Sequence, residues 1–315
     1  LFGEKAYRLG NPFSWMDGED NLVFTYEGSQ ATEYLQYISM FYDRFPTPDD
    51  IKTDDYEEMK EHIEIVLNDS FDYFLPFLDK YNGKFEKYIL STAMVRLQDY
   101  CFIKSFCGNL RDRSINHVDI GPGLGAAAIY SLKGFDSRYY ALEAVPKSYS
   151  VQRDFLRFLS RKNFLYFDVI ECENMGIGVN SQIHDDDKYR IKHIPSWYFD
   201  AIADETIDLV TGSWVLNEVT ISGALWILSN ITRVICKGGY FYIRDGEHVR
   251  EGSLIFDELL LKTGFKQVKR LNMRSRVDYL GIPRVYQKTD TIVYTYDDLV
   301  EMFLGEFGSP VHQKY

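Results

Sequence analysis

The spacing of apolar residues changes once along the chain, close to Gly108. From Ala31 to Phe106 hydrophobic side chains recur three and four apart in "ATEYLQYISMFYDRF", "DDYEEMKEHIEIVLNDSFDYFLPFLDKY" and "GKFEKYILSTAMVRLQDYCFIKSF", which predicts three amphipathic helices. Pro46 and Pro48 separate the first from the second, and "YNG" at 81–83 separates the second from the third. Residues 1–30 mix aromatic and polar types around Gly10, Pro12, Gly18 and Gly28, predicting an irregular arm. The stripe Tyr34, Tyr37, Phe41, Phe71 and Phe74 reads as helix-packing core in preference to a cleft lining.

Beyond Gly108 short strands and helices alternate. "INHVDI" is a strand, "LGAAAIYSLKGF" a helix, "SRYYALEAV" a strand, and "PKSYSVQRDFLRFLSRKN" a helix with Pro146 in its first turn. A strand is expected at "FLYFDVIEC". The polar stretch "GIGVNSQIHDDDKYRIKHIPSWYFD" then reads as a long insertion. Strand "TIDLVTGSWVL", helix "ISGALWILSNITRVI", strand "YFYIRD", helix "GSLIFDELLLKTG" and final strands "FKQVKRLNM" and "TIVYTY" complete the series. Such alternation implies an α/β fold with a mostly parallel, doubly wound sheet that binds ligands at the carboxyl ends of its strands. The expected organisation is an arm and helical cap over 1–108, followed by an α/β domain over 109–315.

Composition narrows the class. A hydrophobic fraction of 45% supplies a sizeable core for one large domain or two modest ones. The net charge of −12 argues against a nucleic-acid partner or an anionic membrane surface. Cys101, Cys107, Cys172 and Cys236 form no CxxC pair and sit in apolar surroundings, so they are expected to be core thiols in a reducing compartment. No run approaches the roughly 18 apolar residues of a membrane span. A cytoplasmic enzyme is the expectation, and a start at Leu1 in place of Met leaves room for an upstream segment.

The chemistry concentrates in "HVDIGPGLGAAAIY", residues 117–130. Gly121, Gly123 and Gly125 allow a tight turn out of the strand and a close ligand approach, with a helix presenting its free N–H groups next to it. "GPGLGA" also fits the dinucleotide spacing G-x-G-x-x-A, so two ligands compete, NAD and S-adenosylmethionine. Asp119, two residues before the first glycine, would repel a pyrophosphate but suits the ammonium and sulfonium of S-adenosylmethionine. Glu143, in "YYALEAV", falls at the next strand tip and can accept from both ribose hydroxyls, a demand that both ligands share. An incidental surface glutamate is the alternative.

"VDIGPGLG", "ALEAV", "IDLVTGSWVLNEV" and "KGGYFYIRD" together resemble the successive motifs of class I S-adenosylmethionine-dependent methyltransferases, over about residues 109–300. The resemblance implies a Rossmann-like seven-stranded sheet with the cofactor above the first two strand tips. It carries over Asp119, Gly121, Gly123, Gly125 and Glu143 as cofactor contacts, with Ser213 at a later strand end. For the adenine contact the third strand offers Asp168, Glu171, Glu173 and Asn174, among which Glu171 or Asn174 is preferred. The helical front portion with "SWVLNE" is similar to bacterial sugar O-methyltransferases, which implies a sugar or glycoconjugate acceptor, nucleotide-linked in one version.

Methyl transfer to a hydroxyl needs in-line placement and removal of a proton. Asn217, Glu218, Asp245, Glu247 and His248 follow strand tips on the expected methyl side. His248 is the first choice of base and Glu218 the second, with a solvated loop histidine and a helix-start carboxylate as the plainer readings. Asp245 with Glu218 or Asn217 offers hard oxygen ligands for Mg2+, but a full acidic set is not evident and metal independence is preferred. His184 and His193 flank "DDDKYR", either a lid or an ordinary loop. Lys266, Lys269, Arg270, Arg274, Arg276 and Arg284 form a basic region that suits either a phosphate-bearing acceptor or a charged, water-exposed edge strand, the latter preferred.

Overall fold

The computed structural model describes residues 96–97, 99–110, 113–123, 125–144, 146–160, 165–176, 183, 188–213, 215–216, 219, 221–245, 252–270 and 282–307. The expected arm and the first two expected helices lie outside the described residues. The chain divides into two compact units, one ending at Pro195 and the other resuming at Ser196.

Among the described residues of the first unit, 99–106 are helical (α1) and fall within the expected third helix. There follow β1 (Asn116–Ile120), α2 (Ala127–Gly134), β2 (Arg138–Glu143), α3 (Pro146–Ser160), β3 (Tyr166–Asp168), α4 (Val169–Asn174) and β4 (Ile191–Pro195). The strands lie in the order β3-β4-β2-β1, all parallel. Tyr139 and Ala141, alternate residues of β2, pack with Ala128, Ile129 and Leu132 of α2 and with Phe155, Leu156 and Leu159 of α3, so both helices cover one face. Burying each of the large aliphatic and aromatic side chains contributes about 1.5–3 kcal/mol. At the far end of α2, Tyr100 of α1 lies over Gly134 and beside Phe135, with ring centroids 4.9 Å apart.

Two elements depart from expectation here. "VIEC" is not a continuation of the third strand; Asp168 ends β3 and caps α4, its Oδ1 accepting from the Glu171 N–H at 3.2 Å. The supposed insertion contains β4, a fully buried strand written with polar letters. Lys192 tolerates that burial because its Nζ donates to the Ile183 carbonyl at 2.9 Å and sits 4.9 Å from the centre of the Tyr140 ring.

The second unit contains β5 (Ile207–Ser213), α5 (Ile221–Val234), β6 (Ile235–Asp245), α6 (Gly252–Lys262), β7 (Phe265–Arg270), β8 (Ile282–Lys288) and α7 (Tyr296–Phe307). Its strands run β5-β6-β8-β7, the first pair parallel and the last two pairs antiparallel. The expected strand "TIVYTY" is instead an irregular approach to α7, and the last strand is β8. Buried Lys288 on β8 donates from Nζ to the Thr232 and Ile235 carbonyls, at 2.6 and 3.0 Å, closing the C-terminal end of α5.

The fold is therefore α/β with Rossmann-like alternation and mostly parallel strands, as expected. The described residues hold eight strands where seven were implied: β4 and β8 were not expected, and "TIVYTY" does not form one. All four cysteines are free, and no helix among the described residues is long and apolar enough to cross a membrane.

Candidate functional site

The glycine turn and the Glu143 tip are neighbours because β1 and β2 are parallel and paired in register, Ile120 against Leu142. The first turn residue locks onto the neighbouring strand: the Gly121 N–H donates to the Leu142 carbonyl at 2.9 Å. The Gly125 N–H closes the loop onto the Pro122 carbonyl at 2.9 Å, and the Gly125 carbonyl then accepts from Ala128 to begin α2. Gly121, Gly123 and Gly125 all have positive φ, 60°, 63° and 78°. A Cβ on Gly123 would meet nothing within 4 Å, so the middle of the turn is open; one on Gly125 would touch Phe155 and Leu156 of α3.

Strand pairing also lines up a row of polar side chains. Asp119 is opposite Ala141, Ala141 opposite His193, and His193 opposite Asp168, across β1, β2, β4 and β3. Paired residues of parallel strands share a face, so three ionisable groups lie on the side that α2 and α3 cover. All are buried.

Tyrosines and one glutamine from that face satisfy the row. The Tyr139 hydroxyl donates to Asp119 Oδ2 at 2.7 Å. The Tyr149 hydroxyl lies 3.0 Å from Asp168 Oδ1, and its ring stacks on His193 with centroids 3.6 Å apart. The Tyr166 hydroxyl bridges Asp168 Oδ2 at 2.7 Å and His193 Nδ1 at 3.0 Å. Burial first, then the adjacent carboxylates, holds all three phenols well above the ordinary tyrosine range, so they remain donors.

Burial works against the Asp168 carboxylate, yet His193 and the two tyrosine hydroxyls outweigh it and keep its pKa below the ordinary value. For His193 burial dominates in the other direction, pulling the imidazole down against the attraction of Asp168.

Gln152 of α3 connects this row to the turn. Its Nε2 donates to the Gly123 carbonyl at 2.7 Å and to Glu143 Oε2 at 2.5 Å, and its Oε1 faces His193 Nε2 at 3.1 Å. Glu143 Oε1 accepts from the Ala144 N–H at 2.9 Å. Glu143 is 4% exposed, so an incidental surface glutamate does not describe it.

Glu171 on α4 forms an ion pair with Arg157, and Asn174 is exposed at the last residue of that helix. In the second unit, Ser213 ends β5 opposite Arg244, one residue before Asp245 ends β6, so these two expected residues are brought side by side. Both are buried, Asp245 completely. His248, Glu218, Asn217, Glu247 and His184 lie outside the described residues. His193 does not belong to a lid, being fully buried in β4.

Of the basic region, Lys266, Lys269 and Arg270 lie along β7, the end strand of the β5-β6-β8-β7 order. Arg284 is buried on β8, with Nη1 at 3.3 Å from Asp257 Oδ2, and so is no part of an exposed charged edge. Arg274 and Arg276 lie outside the described residues.

Sequence reasoning missed Gln152, Tyr149 and the partnership of His193 with Asp168. No local motif announces them. Only the "YxD" of β3, a tyrosine and an aspartate on one face two residues apart, hints at a buried donor and acceptor.

No family model matches the chain, and no curated protein sequence does. Among solved structures it is similar to the 1,6-didemethyltoxoflavin-N1-methyltransferase of Burkholderia thailandensis, which holds 1,6-didemethyltoxoflavin and S-adenosylhomocysteine; identity is 14%, coverage 73% of this chain and 90% of that one, TM-score 0.45. A methyltransferase from Pyrococcus furiosus is 14% identical, with 62% and 83% covered and a TM-score of 0.42. Phosphoethanolamine N-methyltransferase 1 of Haemonchus contortus, in complex with phosphoethanolamine and S-adenosylhomocysteine, is 13% identical, with 76% and 53% covered and a TM-score of 0.42. These likenesses are distant, and the functional reading rests on this chain's own residues.

Proposed function

We propose that the chain is an S-adenosylmethionine-dependent methyltransferase that acts on the hydroxyl of a small molecule, a sugar or glycoconjugate before others. The observation that carries the cofactor half is Glu143, a buried carboxylate at the tip of β2 beside an open glycine turn. A carboxylate at this strand tip, held by the Ala144 N–H and the Gln152 amide, fits a pair of vicinal ribose hydroxyls as hydrogen-bond donors. The open space at Gly123 fits close approach of a nucleoside to backbone.

When bound, the cofactor supplies an activated methyl group. Asp119, steadied by Tyr139, contributes negative charge at the base of the turn, which suits a cationic methionine end and disfavours phosphates. Glu171 or Asn174 is assigned to the adenine side, and Ser213 to a further cofactor contact. Removal of the acceptor proton is assigned to His248, with Glu218 and Asp245 as alternatives, and without Mg2+.

One observation keeps NAD as the second reading: Asp119 is buried with a donor already on Oδ2, which weakens its repulsion of a pyrophosphate. Titration calorimetry with S-adenosylhomocysteine and with NAD separates the two. Binding of the first alone is expected; binding of NAD alone overturns the proposal. Labelled methyl transfer to a panel of sugars, repeated with His248→Ala, tests the acceptor and the base.

A further inference from the structure

We propose that Gln152 is a positioning residue that fixes the Glu143 carboxylate for the ribose hydroxyls of the cofactor, and that His193 fixes Gln152 in turn. This rests on the ribose reading of Glu143 given above. Gln152 is fully buried on α3, so it acts through Glu143 and not on the ligand.

The orientation of the amide follows from its neighbours. The Gly123 carbonyl and Glu143 Oε2 can only accept, so both need the NH2 end, and one NH2 group has two hydrogens. Turning the amide over would set an oxygen against two oxygens. With Nε2 so used, Oε1 must accept, and the atom facing it is His193 Nε2, which therefore carries a proton. That places a proton of His193 on Nε2. The ring cannot turn to escape this role, being stacked on Tyr149 in the interior.

Two consequences reach the ligand. Glu143 takes the Ala144 N–H on Oε1 and the Gln152 amide on Oε2, which sets the plane of the carboxylate before a hydroxyl arrives. The same amide ties the Gly123 carbonyl to that carboxylate, so the turn and the ribose acceptor are held as one piece. Neither glutamate nor methionine does both. Glutamate would place a carboxylate against a carboxylate and a carbonyl, while methionine would leave both acceptors without this donor.

The test is a binding cycle on the whole protein with two probes, S-adenosylhomocysteine and an analogue lacking both ribose hydroxyls. Wild type is expected to prefer the first. Gln152→Met is expected to lose about tenfold in affinity for the first, the equivalent of one charge-assisted hydrogen bond, and to bind the second within about twofold of wild type. The preference for the hydroxyls should therefore shrink, an effect that a general loosening of the fold would not produce. Gln152→Glu, of equal size, repeats the cycle if the methionine variant melts out. A folded variant that keeps the wild-type preference overturns the role of Gln152 while leaving the methyltransferase reading intact. A wild type that binds no S-adenosylhomocysteine overturns that reading itself, and one that binds both probes equally overturns the assignment of Glu143 and with it that of Gln152.

Discussion

The hydroxyl of Tyr139 on β2 and the carboxylate of Asp119 on β1 meet at 2.7 Å between paired strands, both side chains buried. The tyrosine ring fills the core against α2 and α3 while its polar end answers the one acidic residue of β1. Tyr139→Phe keeps the packing and removes the donor. The variant should lose about 1–3 kcal/mol, the cost of leaving a buried acceptor short of a partner, read as a lower urea midpoint at unchanged slope.

Acid should destabilise the protein through His117. Its ring is buried, with Nδ1 at 2.6 Å from Ser131 Oγ, and burial pushes its pKa down from 6.5 to about 3. Between those values the unfolded chain binds a proton that the folded one refuses. Stability is therefore whole above about pH 6.5 and falls on acidification by about 1.4 kcal/mol per pH unit for this one site. His193, lowered by burial as well, adds in the same direction. A His117→Asn protein should show a flatter decline between pH 6 and 4 in a denaturation series.

Gly123 and Gly125 should separate function from stability. Alanine at Gly123 meets open space and suffers only the left-handed backbone, about 1–2 kcal/mol, while its methyl occupies the approach to the turn. Alanine at Gly125 bears the same strain and also presses on Phe155 and Leu156. Melting and S-adenosylhomocysteine titration together should find Gly123→Ala the more stable of the two, with its binding reduced at least as much.

Gly134 has ordinary backbone angles but no room. A Cβ there would enter the Tyr100 ring, which stacks on Tyr130 and meets Phe135 at a tilt. Gly134→Ala should cost about 1–3 kcal/mol by overpacking, and Tyr100→Leu should relieve part of it in the double variant.

The glycine turn, Glu143 and the Pro146 helix were legible because each is written locally, in spacing, turn chemistry or a first-turn proline. β4 was not, since Lys192 and His193 look like surface letters until Tyr140, Ile183 and Gln152 supply their partners from elsewhere in the chain. α4 was hidden by "VIEC", whose β-branched residues outweighed the capping aspartate before them. α7 did carry a signal. Thr295 and Asp298 form a reciprocal cap, with the Thr295 N–H donating to Asp298 Oδ2 at 2.8 Å and the Asp298 N–H to Thr295 Oγ1 at 3.2 Å, the "TxxD" pattern that opens helices. Gln152 had none, because its role is created by strand register.

Lys288 also ties the end of α5 to a strand made much later in the chain. The carbonyls it closes, Thr232 and Ile235, are synthesised 56 and 53 residues before it. A nascent chain that has emerged only as far as β6 holds α5 without the Lys288 ammonium on those carbonyls, and Arg233 is the basic residue of its last turn. Truncation ahead of β8 would therefore remove two hydrogen bonds from the end of a helix that the cut never touches.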